Sequence, residues 1–75
     1  MRGLGLRVVE LVEDSGMQWW QFEYATGVAH RTVRGWLYGE RSPMAKNVVA
    51  IAREFGVSTD YLLGLDDEKR RRLDP

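Results

Sequence analysis

Glycines at positions 16, 27, 39, 56 and 64 cut the chain into short stretches, and each stretch carries apolar residues at helical spacing. Leu4, Val8, Leu11 and Val12 recur at i, i+4, i+7 and i+8, one face of a helix that Gly16 stops. A second helix is predicted from about Gln18 to Thr26, ended by Gly27, with Phe22 and either Thr26 or Ala25 facing inward. In VAHRTVRGWLYG, residues 28–39, a third helix over about 29–38 puts Ala29, Val33, Trp36 and Leu37 on a buried stripe. His30, Arg31, Arg34 and Gly35 fall on its opposite side, Thr32 sits at the border, and GERSP follows as a loop. Val48, Ile51, Ala52 and Phe55 mark a fourth helix over roughly Ala45–Phe55. Ser58 is a good N-cap for a short fifth helix ending at Gly64, with Asp60 favourable in its first turn. Tyr61, Leu62 and Leu63 would seal the core from that helix. There is no strand-like alternation and no internal repeat. The expectation is an all-α, compact bundle of five short helices.

Seventy-five residues allow one domain with one small core, and little room for an enclosed catalytic pocket. A binding module is therefore favoured before any motif is read. The chain has no cysteine and a single histidine, so neither a disulfide nor a thiolate metal site can form, and a reducing cytoplasm fits. No apolar run approaches 18 residues and no signal-peptide core is present, so neither a membrane nor an exported protein is expected. No nucleophile–base pair, phosphate-binding glycine loop or paired carboxylates point to catalysis, and no cofactor or small-molecule substrate is implied.

Formal net charge is zero, but the charges are unevenly placed. Residues 1–26 carry two arginines against four acidic groups, whereas residues 27–47 carry Arg31, Arg34, Arg41 and Lys46 against Glu40 alone. The basic segment thus coincides with the third helix and the loop after it. Residues 65–75, with KRRR at 69–72 balanced by Asp66, Asp67, Glu68 and Asp74, read as a charged, solvated tail beyond a domain spanning 1–64.

Several elements stand together in one register: Gly16-Met17, Phe22, Gly27-Val28, Val33-x-x-Trp36-x-x-Gly39, Arg41-x-Pro43, and AREFGVSTDYLLG at 52–64. Over about residues 6–64 the chain resembles the lambda-repressor/Cro-like helix-turn-helix family. The resemblance implies a central helix-turn-helix whose third helix enters the DNA major groove while the second crosses the backbone. Carried over position by position, His30, Arg31, Thr32 and Arg34 would face base edges. Gln18, Trp19, Arg41, Lys46 and Asn47 would contact the phosphate backbone. Arginine can hold guanine O6 and N7 with both arms of its fork, whereas phosphate contacts fix orientation. The residues alone single out the same base-facing set, since it lies opposite Val33, Trp36 and Leu37.

Departures from the family pattern each carry a meaning. Ala29 stands where a Ser or Thr N-cap is usual, which removes about 1 kcal/mol of local helix stability. Gly35 stands where a longer polar side chain often reads DNA, so no direct readout is expected from it, and it weakens the helix by about 1 kcal/mol relative to Ala. Glu23 replaces a usual Ala and must find a partner. Glu40 sets a negative charge near the expected phosphates. Val12 and Leu37 stand where many members carry a partly buried Arg–Glu pair, and they are expected to pack together instead.

The family implies a small bacterial cytoplasmic regulator, Cro-like or a minimal phage repressor, acting on a double-stranded DNA operator. On this length it is expected to lack the C-terminal oligomerisation or cleavage domain of larger repressors. Members commonly bind pseudo-palindromes as dimers; a weak homodimer, at least on DNA, is the form considered, and a monomer stays open. The competing reading is a helix-turn-helix protein-interaction module such as an antitoxin or antirepressor, which neutral net charge and exposed aromatics would suit. The adjacent Trp19 and Trp20 divide between these themes. Trp19 stands where a Gln usually donates to a phosphate; its indole N–H can also donate, while its ring would pack against the base of the third helix. Trp20 with Tyr24, at i and i+4, is either folded onto the first helix or exposed as a contact patch.

Overall fold

The computed structural model describes residues 2–65. Five helices follow one another: α1 (Arg2–Ser15), α2 (Trp19–Thr26), α3 (His30–Leu37), α4 (Ala45–Phe55) and α5 (Thr59–Leu62). The architecture is the all-α bundle expected from the apolar spacing, and element ends differ from the expected ones by a residue or so. The tail expected over 65–75 lies outside the described residues except for Leu65, which is exposed.

The core collects one stripe from each helix. Leu4, Val8, Leu11 and Val12 of α1 meet Phe22 of α2, Val33 and Trp36 of α3, Val48, Ile51 and Ala52 of α4, and Tyr61 and Leu62 of α5. Trp36, Phe22, Val33, Val8, Ile51 and Leu62 are fully buried. Each such side chain contributes about 1.5–3 kcal/mol relative to exposure. Phe55 and Leu63, also expected inside, pack partly buried at its edge, and Met17 joins them there. Thr26 completes the inner face of α2 half-buried, while Ala25 is exposed.

Two helix ends use one device. At the end of α1 the Ser15 hydroxyl donates to the Val12 carbonyl at 2.8 Å and accepts from the Met17 N–H at 3.1 Å. At the end of α2 the Thr26 hydroxyl donates to the Phe22 carbonyl at 2.8 Å and accepts from the Val28 N–H at 3.1 Å. In each case the hydroxyl satisfies a last-turn carbonyl and catches an amide just past the end, which fixes the exit direction. At Gly27 the chain turns with φ +74°, a conformation that a Cβ disfavours, and its N–H reaches the Glu23 carbonyl at 2.8 Å. The turn between α2 and α3 is thereby set by three residues, Thr26, Gly27 and the buried Val28.

α5 is short but well tied. The Ser58 hydroxyl accepts from the Tyr61 N–H at 2.9 Å, the cap expected of it. Arg7 of α1 lies 4.4 Å from the centroid of the Tyr61 ring and donates to the Tyr61 carbonyl, while the Tyr61 hydroxyl donates to Glu10 at 3.2 Å. These contacts close the ends of the chain's folded part onto each other.

Leu37 of α3 lies on Gly5 of α1, where a Cβ would stand 2.9 Å from Leu37 Cγ and 3.0 Å from its backbone N. The two helices approach through this glycine, and α1 makes its most extensive contact with α3.

Candidate nucleic-acid interface

With Val33 and Trp36 fully buried, the 100° per residue of a helix turns Arg31 and Arg34 away from the core, and both are exposed. Thr32 is half-buried at the border. α3 therefore presents cationic, hydrogen-bonding side chains on a face that packing holds outward.

His30, the first residue of α3, is held by rings. Its imidazole stacks parallel on Trp19, with centroids 3.8 Å apart and planes 5° apart. Trp19 in turn meets the buried Phe22 edge-on at 5.1 Å. A continuous series of rings thus runs from the core to the tip of α3. Half-burial beside the indole lowers the His30 pKa below its ordinary 6.5, Arg34 lowers it further, and Glu23 opposes them. Neutral imidazole carries one N–H donor and one acceptor nitrogen. Trp19, expected to reach a phosphate, also positions the His30 ring; nothing in their sequence spacing signals that stack.

The missing N-cap of α3 is supplied from α2. Ala29 offers no side-chain acceptor, but Glu23 Oε2 accepts from the His30 backbone N–H at 2.7 Å. Two departures from the family pattern thus meet at one helix end: a carboxylate where Ala is usual satisfies the first N–H of α3, whereas a Ser or Thr at 29 would take the N–H one or two residues further on. The uncapped Ala29 and the unpartnered Glu23 were both visible in the sequence; their meeting depends on how α2 crosses α3.

Gly35 also departs from expectation. It lies on the outward side of α3, yet it is buried, because the stem of Arg41 covers it. A Cβ on Gly35 would stand 2.6 Å from Arg41 Cδ and 2.7 Å from Cγ. The Gly35 carbonyl accepts from the N–H groups of Glu40 at 2.7 Å and Arg41 at 3.3 Å, which folds the loop back onto the helix.

The remaining expected residues come from the starts of α2 and α4. Gln18 occupies the N-cap position of α2, where its backbone N–H donates to Gln21 Oε1 at 2.8 Å. Lys46 is exposed and Asn47 half-buried in the first turn of α4. No hydrogen bond among the described residues links Gln18, Lys46 or Asn47 to α3. Trp20 and Tyr24 are 67% and 90% exposed, so they form an outward pair and are not folded onto α1. Among the described residues no cluster of three or more His, Cys, Asp or Glu side chains could hold a metal ion, and no helix is long and apolar enough to cross a membrane.

A capped helix carried on a short, rigid turn, with arginines outward and tryptophan inward, defines the class as a helix-turn-helix protein. A helix-turn-helix family model matches residues 10–62, and the chain belongs to that family, whose type is the lambda-repressor/Cro-like DNA-binding regulator. No curated protein and no solved structure matches it significantly.

Proposed function

We propose that this protein is a sequence-specific, double-stranded DNA-binding regulator of Cro or minimal-repressor type, working in a bacterial cytoplasm on a phage or host operator. Residues 1–64 form the reading unit and 65–75 a charged tail. α3 lies in the major groove, with Arg31 and Arg34 on guanine edges, His30 on a base or phosphate at the helix start, and Thr32 against a thymine methyl or phosphate. Gln18 and Trp19 at the start of α2, and Lys46 and Asn47 at the start of α4, bind phosphates and set the register. Occupancy of a promoter by such a module excludes polymerase, which makes repression the effect. The operator is a pseudo-palindrome read by two copies that pair weakly, at least on DNA.

The observation that carries this reading is the outward Arg31 and Arg34 on a helix whose opposite side, Val33 and Trp36, has no exposed surface. That helix cannot rotate to hide its cations. Selection of bound DNA from a random pool tests it. A single enriched motif with guanine-rich half-sites about one helical turn apart supports the proposal. Recovery of unenriched DNA, or of none, would favour the protein-interaction reading, for which the exposed Trp20 and Tyr24 offer a surface.

A further inference from the structure

We infer that Arg41 is a specificity-determining residue that reads a base through the place left by Gly35, and is not only a phosphate anchor. The inference rests on the DNA-reading assignment of α3 and goes beyond it by adding a reader from outside the helix.

Gly35 follows Arg31 by four residues and so lies on the same outward face, one turn further along. A glycine there leaves the backbone bare, and on an open helix face it would be exposed. It is buried because the Arg41 stem occupies the volume in which a side chain of residue 35 would begin. Cβ, Cγ and Cδ of Arg41 all lie within 3.1 Å of the Cβ position of residue 35. The aliphatic stem therefore lies over the helix surface at residue 35, one turn beyond Arg31, and Arg41 as a whole is exposed.

The arrangement is held by the backbone. Glu40 and Arg41 both donate to the Gly35 carbonyl, so the loop that carries Arg41 is pinned to the residue that the stem covers. A cation on a free loop pays ordering entropy when it meets a base, whereas a pinned stem has paid much of it in folding. Substitution of any larger residue at 35 would collide with that stem. The glycine, which costs helix stability, is accounted for by the passage it gives to Arg41.

Arginine suits this place because its planar fork meets guanine O6 and N7 in a fixed geometry, whereas a lysine ammonium can reach the same two acceptors only as a flexible point charge. A phosphate contact would accept either cation.

The test repeats the random-pool selection with R41A, R41K, G35A and the G35A/R41A pair, each checked for a native melting transition. If Arg41 reads a base, R41A flattens the preference at one base pair of each half-site, by about ten-fold or more, and leaves the other positions intact, while R41K, whose ammonium can still donate to that base, keeps the same preferred base. G35A flattens the same position, because its Cβ must displace the Arg41 stem, and R41A adds nothing further to it. Should G35A melt abnormally, the G35A/R41A pair, which removes the 2.6 and 2.7 Å contacts and leaves only the 3.1 Å approach of the residue-41 Cβ, must fold and show the R41A motif. The inference is overturned if R41A keeps the wild-type motif at every position while affinity falls evenly. Failure of the wild-type chain to enrich any motif overturns the DNA-reading assignment itself and this inference with it; a wild-type motif that is indifferent to Arg41 and Gly35 overturns this inference alone.

Discussion

Replacing Glu23 by Ala removes the acceptor that caps α3 and leaves the His30 N–H without it. α3 has eight residues, its N-cap Ala29 has nothing to substitute, and the lost bond is a 2.7 Å contact from a carboxylate. Loss of a side-chain N-cap costs about 0.5–2 kcal/mol. The part due to charge at the helix N-terminus is roughly 0.3–1 kcal/mol, reduced here because Glu23 is exposed. A destabilisation of about 1 kcal/mol is expected, and in a domain of this size that lowers Tm by roughly 4–8 °C. Thermal unfolding followed by circular dichroism measures it. Glu23→Gln, which keeps an acceptor without the charge, should fall between wild type and Glu23→Ala. Ala29→Ser adds an acceptor for the N–H of Arg31 or Thr32, not of His30, so it should raise Tm by a similar amount in the wild-type and Glu23→Ala backgrounds. An unchanged Tm for Glu23→Ala would refute the capping argument.

Gly5→Ala should destabilise the fold by about 1 kcal/mol despite its better helix propensity, because the new Cβ meets the Leu37 backbone N at 3.0 Å and overpacking costs roughly 1–3 kcal/mol; urea unfolding reads the loss. His30 titrates below its ordinary 6.5 in the folded chain, so the unfolded chain binds the proton more readily between the two values. Its contribution is present above pH 6.5 and is lost as the pH falls through the folded value, and His30→Gln should flatten the pH dependence of the urea midpoint in that window. Arg31→Ala and Arg34→Ala should each relax base preference by about 1–3 kcal/mol at a defined position of the selected site, while Lys46→Ala weakens binding evenly across sequences in competition assays.

The five helices were legible because each apolar stripe repeats at helical spacing and a glycine closes it; Leu4, Val8, Val33, Trp36 and Ile51 are buried as that spacing requires. The outward placement of Arg31 and Arg34 follows from the same periodicity. What was not legible lies between elements. The Glu23 cap needs the crossing of α2 over α3, and the Trp19–His30 stack needs their side-chain directions. Gly35 looked like an empty position because a helical wheel contains only its own helix, and the covering stem comes from the loop after it. In each of these cases a residue departing from the family pattern marked the place: Ala29 with Glu23, Trp19, and Gly35.

The account turns on whether the outward face of α3 binds DNA, and a salt titration of binding to DNA fragments measures that most directly. Log K should fall linearly with log salt concentration, with a slope of about −0.9 for each phosphate neutralised, and Lys46→Ala should make the slope shallower by about one. A flat response, or no binding at low salt, would contradict the account.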